Sequence, residues 1–530
     1  MSAVAGPRPE VAGASPASSR RWLIAITAAL AALLEIVDTS IVNVALTDMQ
    51  SALGATLSEV GWVITSYAIA NVIVLPLAAW LGETFGKKRY FVFSLIGFTA
   101  SSIMCGLSTS LSMLVLARVL QGLTGGGLLA KAQSILFETF PKEEQGKAQA
   151  LFGVVAIAGP AIGPVLGGYI VTNLDWRWIF FINLPIGVVA VFMALTFLPT
   201  DEPKPETDRE REVDWLGLAL LVVGLGSLQT LLEEGQSNGW FDSPEMALLA
   251  VTATLGLVAF VVRQLRVAHP VVDLRVLRHR SLAGGAAFSL VLGMSLYGAL
   301  FAVPIFAQSV LHFTAQETGL LLLPGALASA FMMPFAGRFS QIVDPRVLIA
   351  GGALGLVGAI LLLGRLSVHT STDDLQLPLI LRGGATVFMF LPLSLAAIGP
   401  LPKKDMPAAT GIYNLTRQLG GSIGIAMLTT ILARRQVFHA AVLADKVSLG
   451  NPLAVARLEQ SVAGLAARGV APEHAKQVAL ASLHGSVKLQ AAIMSFNDCF
   501  TIVAGMILLS LPLILLLGRP QRGAAPDAGH

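Results

Sequence analysis

Leu33-Leu34-Glu35-Ile36-Val37-Asp38-Thr39-Ser40-Ile41-Val42-Asn43 places two carboxylates inside an apolar run that extends from Trp22 to Leu46. A charged side chain at bilayer depth costs roughly 2.5 to 3.5 kcal/mol on insertion scales, so two in one segment need a reason. Glu35 and Asp38 are three residues apart and share a helix face. They are either paired structural charges or carriers of protons or cations across the membrane.

The chain as a whole is a membrane protein. Of its 530 residues 55% are hydrophobic and 13% charged, too little charge to solvate a soluble protein of this size. A net charge of +3 implies no nucleic-acid partner, because in such a chain the placement of Lys and Arg matters more than their sum. Cys105 and Cys499 both lie in apolar stretches and read as small core residues, not as a disulfide or metal site. No His-Glu-x-x-His spacing is present, and Gly82 to Lys88 lacks both the spacing and the hydroxyl of a phosphate loop.

Residues 1–21 are rich in Ala, Pro, Ser and Gly and read as a disordered cytoplasmic tail. The acids in the first apolar run distinguish it from a cleavable signal segment. Further runs near 60–81, 90–108, 113–136, 148–171, 179–198, 214–232, 246–263, 282–309, 317–336, 347–366, 377–400, 408–432 and 493–517 are each long enough to cross a core about 30 Å thick. With the first they make fourteen expected spans. Lys87-Lys88-Arg89, Lys142, Lys147, the run Arg263 to Arg280, Arg338, Arg346 and Lys403-Lys404 then fall on one side, and the short loops opposite hold only Arg177 and Arg365. That asymmetry puts both termini in the cytoplasm.

The series repeats. Ala79 to Arg89 after span 2 and Ala336 to Arg346 after span 10 are both short, charged, Gly-containing turns. Arg118 in span 4 and Arg382 in span 12 sit at one depth, each followed by Gly, and spans 5 and 13 share Gly-rich runs. The pattern predicts an all-α architecture of two six-helix halves, 22–198 and 282–518, with two further helices inserted in a linker at 199–281 and a cytoplasmic tail at 519–530. Paired halves around a central site are a transporter architecture.

Five stretches, in order, carry a family resemblance. Leu34 to Leu46 is similar to a first-span motif Leu-Asp-x-Thr-Ile-Val-Asn-Val-Ala with Asp38 at its acid, and Ala79 to Arg89 resembles a loop motif Gly-x-Leu-Ala-Asp-Arg-x-Gly-Arg-Lys. Leu116 to Gly122 matches a fourth-span Arg motif, Gly159 to Gly168 an antiporter motif, and Trp176 to Pro185 a further typical segment. Together they resemble the major facilitator superfamily and, within it, the fourteen-span drug:proton antiporters of the EmrB/QacA type. The loop copy departs from the pattern, with Ala79 at its first Gly and Thr84 at its Arg. The resemblance implies a bacterial inner-membrane exporter of small amphiphilic substrates, driven by the proton gradient without a cofactor. A periplasmic adaptor and an outer-membrane channel are partners it also implies.

Each motif has its own physics. Gly86 permits a tight turn, and Glu83, Lys87, Lys88 and Arg89 can bridge helix ends as a gating lock or simply enforce orientation. Gly159, Gly163 and Gly167 line one helix face for close backbone approach, with Gly168 beside them, while Pro160 and Pro164 remove ladder hydrogen bonds and favour a bend. Arg118 needs a partner in the bilayer. It lies roughly 8 Å below the external end of its span and Asp38 roughly 12 Å below its own, so the two are expected to pair. The pair would hold Asp38 ionised until a proton or cationic substrate competes for it. Glu35, one turn deeper with no evident partner at its level, is then the more readily protonated acid.

The other intramembrane charges leave alternatives open. Lys131 is either a snorkelling structural lysine or a substrate-selecting charge. Arg382 lies alone in its span, and Arg417 and Asp498 can pair to tie spans 13 and 14 together or serve coupling. The external segment 435–490 is Ala-rich with helical stretches at 453–468 and 472–484, an expected hairpin that docks an adaptor or caps the protein. The resulting expectation is proton-coupled efflux by alternating access. A dedicated exporter of one metabolite or siderophore is the alternative, and a channel or an intramembrane enzyme is the alternative of another class.

Overall fold

The computed structural model describes residues 18–201, 213–447 and 450–517; most of both expected tails and part of the linker lie outside them. All described regular elements are helical. The first, α1 (Ser18–Ile41), begins ahead of the expected boundary, passes through a 3-10 turn at Val42–Ala45 into α2 (Leu46–Leu53), and stops at Gly54. Next come α3 (Leu57–Val74), a turn around Pro76, α4 (Ala78–Phe85), α5 (Lys87–Gly106), α6 (Leu111–Gly125), α7 (Leu128–Thr139) and α8 (Lys142–Asn173), then the short α9 (Trp178–Phe181) and α10 (Asn183–Phe197). The inserted pair is α11 (Trp215–Glu234) and α12 (Pro244–Arg266). The second series is α13 (Arg280–Ser309), α14 (Ala315–Ile342), α15 (Pro345–Leu363), α16 (Thr372–Ile398), α17 (Met406–Lys446), α18 (Pro452–Ala466) and α19 (Pro472–Ser510).

Among the described residues, thirteen segments are long and apolar enough to cross a membrane. The fourteenth expected crossing lies within α17, whose polar Asn414 and Arg417 are turned inward, 1% and 3% exposed. Apolar side chains face outward instead, among them Phe93, Phe192, Leu255 and Phe331, each at least 64% exposed. That inversion suits lipid as the surrounding solvent.

The repeat extends to details of capping. Thr56 and Glu59 open α3 with a reciprocal capping box, and Thr314 and Glu317 open α14 with the same box. Each box satisfies backbone N–H groups that a helix start leaves free. The two halves meet where α8 packs along α14 and where α17 packs against α7, α4 and the Pro76 turn. Where α8 begins and α14 ends, Gln341 donates to the Glu143 carbonyl at 2.8 Å, and Gly146 faces Gly337 so closely that an added Cβ would stand 3.0 Å from its carbonyl oxygen. The seam between the halves is therefore closed at this end.

The external segment departs from the expected hairpin of separate helices. α17 and α19 are the membrane helices themselves prolonged outward, and only α18 is a separate element, packed on α19. No proline interrupts the chain after Pro472 until the cytoplasmic end of the span, so the helix has no reason to stop at the membrane surface.

The inserted pair is tied by Asp214 where α11 begins and α12 ends. Its carboxylate caps α11 by accepting from the Gly217 N–H at 2.9 Å and also accepts from Arg263 at 2.7 Å and Gln264 at 2.9 Å, both on α12. Burial works to raise its pKa, but these donors outweigh it and hold the carboxyl below the usual aspartate range. Asp214→Ala is expected to lower stability by about 2 kcal/mol at neutral pH, from lost capping and charge-assisted hydrogen bonds. Thermal melting in detergent checks this. The gap from wild type should shrink as the pH falls through the folded-state value of Asp214, where the wild-type carboxylate also loses its charge.

Candidate functional site

Asp38 is fully buried within the first helix series. Arg118 Nη1 donates to its Oδ2 at 2.6 Å, while Gln121 Nε2 and Asn183 Nδ2 donate to Oδ1 at 2.9 and 2.8 Å. Arg118 is itself held by the Val63 carbonyl at 3.0 Å and Gln121 Oε1 at 2.7 Å, with its guanidinium 4.1 Å from the centre of the Tyr67 ring. A buried charge pair is sustained only when its remaining valences are hydrogen-bonded, and here four helices, α1, α3, α6 and α10, supply that shell. Gln121 is the turn after Arg118 in the fourth-span motif. Asn183 belongs to the Trp176 to Pro185 segment, to which sequence reasoning assigned no role.

Glu35, 4% exposed, has partners that the sequence did not reveal. Asn71 Nδ2 donates to its Oε1 at 2.9 Å and the backbone N–H of Leu129 to its Oε2 at 2.7 Å. That N–H is free because span 4 breaks at Gly126-Gly127 and restarts as α7, exposing the first amides of a new helix. Close approach forces the break: a Cβ on Gly126 would lie 2.7 Å from the carbonyl oxygen of Asn71. The expectation of an acid without partners is corrected. The signal in the sequence was the run Gly125-Gly126-Gly127.

The antiporter motif supports this turn of α1. Gly159 faces Ile36, Gly163 faces Ser40 and Gly167 faces Ile41, so α8 lies directly against the backbone that carries both acids, while Gly168 faces Gln316 of α14. Pro160 and Pro164 sit inside an uninterrupted helix.

Residues 28–425 match the family described as the Major Facilitator Superfamily. The chain belongs to the major facilitator superfamily. It is 34% identical to the multidrug export protein EmrB of Escherichia coli K12 over 96% of this chain and 97% of that one. It is 30% identical to the fatty acid resistance protein FarB of Neisseria gonorrhoeae over 94% and 96%. Two solved structures share the fold at a TM-score of 0.59: the human organic anion transporter MFSD10, 15% identical, covering 94% of this chain and all of its own, and the proton:xylose symporter XylE, 13% identical, at 94% and 96%. The chain is thus a multi-pass member of a transporter superfamily.

In this transporter the loop after span 2 holds helices of one half together. Gly86, at φ 96°, makes the turn. Lys87 pairs with Glu138 at the end of α7, and Lys88 Nζ donates to the carbonyls of Leu195 and Leu198 at 2.6 and 3.0 Å. Asp201 accepts from the backbone N–H groups of Lys88 and Arg89 at 2.8 and 3.1 Å, capping α5. These ties run between spans 3, 4 and 6, within the first half. Glu83 lies in the last turn of α4. Asp201 went unnoticed in the sequence because it looked like linker.

The remaining charges are scattered. Lys131 is 4% exposed, with Nζ 5.5 Å from the Tyr90 ring centre, so it does not snorkel to water. Arg382 is 8% exposed and its Nη1 has no hydrogen-bond partner among the described residues. The expected Arg417 to Asp498 pair does not form. Arg417 Nη2 donates to Asn414 Oδ1 at 2.7 Å with its guanidinium over Phe390, whereas Asp498 accepts from Arg435 at 2.5 Å and bonds His439 at 2.7 Å. Asp498 does tie α17 to α19, but the outward extension of α17 brings two other bases to its level.

Arg118→Leu alone leaves Asp38 as a buried unpaired charge and is expected to destabilise by about 3 to 5 kcal/mol. Asp38→Asn combined with Arg118→Leu should recover much of that loss. Parallel melting curves of the single and double variants in detergent test the pairing.

Proposed function

We propose that this transporter exports amphiphilic compounds, cationic or lipophilic, in exchange for protons by alternating access. The observation that carries the reading is the pair of buried carboxylates one turn apart on α1, each supplied with hydrogen-bond donors and shielded from solvent. An acid held in this way exchanges its charge state only with a proton or a cation that reaches it. The multidrug export relatives supply the substrate class, and paired halves supply the motion.

The concentration of Lys and Arg on one side supports a reading with both termini in the cytoplasm, in a bacterial inner membrane. The cycle runs with no cofactor and no covalent chemistry. Outside, the extended α17–α19 region exposes Val437, Phe438 and Leu453, an apolar rim suited to a periplasmic adaptor leading to an outer-membrane channel.

Proteoliposomes loaded with a pH dye and challenged with ethidium test the exchange. Wild type should move protons opposite to the cation, and Glu35→Gln together with Asp38→Asn should reduce the signal to that of empty liposomes. Coupled movement that survives the double change would overturn the proposal.

A further inference from the structure

The two acids differ in what they touch. Among the described residues, the hydrogen-bond donors to Asp38 all come from the first half, so its charge is read within that half. Glu35 sits at the seam. Its partner Asn71 on α3 turns its other end to the second half, where Gln418 Nε2 of α17 donates to Asn71 Oδ1 at 2.9 Å. One carboxamide thus joins the acid to the opposite half. Four residues earlier on α17, Asn414 Nδ2 donates to Gln133 Oε1 of α7 at 2.6 Å, and Arg417 leans on that same Asn414.

The ionisable groups that face Glu35 are few. They are Asp38 on its own helix, Tyr67 on α3, Tyr90 on α5 and Arg417 on α17; α8 presents its glycine face there and α10 carries no ionisable side chain. Arg417 is the one cation in this set, and it belongs to the other half. Its Nη1 has no hydrogen-bond partner among the described residues.

We propose that Glu35 is the acid whose protonation moves the halves, and that Asn71 and Gln418 are positioning residues that transmit its charge state across the seam to α17. This rests on the antiport reading above. When ionised, Glu35 accepts two N–H bonds, attracts Arg417 and holds the seam shut in the cytoplasmic half. A proton on one of its oxygens turns an acceptor into a donor and removes the attraction for Arg417. With the proton on Oε1, the oxygen that faces Asn71, Asn71 turns Oδ1 to accept it and so withdraws that oxygen from Gln418 Nε2, and the inter-half bond is reversed or lost. The closed seam is favoured while Glu35 is ionised and weakens as the pH falls through its titration. A proton arriving from outside then opens the cytoplasmic side, the sense that an exporter needs.

The test uses the full chain in proteoliposomes without substrate, spin-labelled at Phe85→Cys and Lys404→Cys, both exposed at the cytoplasmic ends of α4 and the start of α17. In wild type the label separation should shift from short to long as the pH falls. Glu35→Gln, Asn71→Leu and Gln418→Leu should each flatten that response, the last two with Glu35 still present. The exchange Asn71→Gln with Gln418→Asn retains both carboxamides and should restore the response, which a purely packing role would not predict. A pH response that persists in Asn71→Leu and Gln418→Leu, or in Glu35→Gln, would overturn the relay. Proton release driven by ethidium, measured separately in the same vesicles, reports on antiport itself, so relay and antiport can fail independently.

Discussion

Charge at the middle of a bilayer has to be answered by groups drawn from several helices at once, and that demand organises this protein. Asp38 collects Arg118, Gln121 and Asn183 from α6 and α10, and in doing so ties two helices of the first series to α1. Unlike apolar packing, which lipid tails can largely replace, an unanswered carboxylate has no substitute partner in the hydrocarbon. The glycine face of α8 has its place in the same scheme. Only a helix without side chains on that face can lie close enough to α1 to keep water from the acids.

The second half shows what happens when the demand is absent. Arg382 repeats the position of Arg118, but α13 carries no acid opposite it. Its polar groups serve the seam instead: Asn414 and Gln418 reach across to Gln133 and Asn71. Duplicated architecture has therefore been put to two uses, internal cohesion in one copy and contact between copies in the other.

Much of this was legible from residues alone. The series of apolar spans, the Asp38–Arg118 meeting and the close-packing role of Gly159 to Gly167 all follow from hydropathy, charge and spacing, which act locally or along one helix axis. What escaped depends on pairs distant in sequence. The Leu129 N–H is an ordinary amide until a helix break frees it, and Asn71 and Gln418 are unremarked polar residues until two helices from different halves lie side by side. Asp498 illustrates the same limit. Depth along a span is countable, but the outward run of α17 that delivers Arg435 and His439 is set by the lack of any breaker beyond the membrane surface.

That unbroken rod has a mechanical consequence. α17 comprises 41 residues, about 60 Å at 1.5 Å per residue, with Gln418 near its inner third and its last turn far outside the bilayer. A tilt of about 10° pivoting near Gln418 would sweep its outer tip through roughly 7 Å, given about 42 Å of lever arm. Asp498 couples α19 to the same rod, so the crown travels as a unit. A protein resting on that crown would feel each turnover as a stroke.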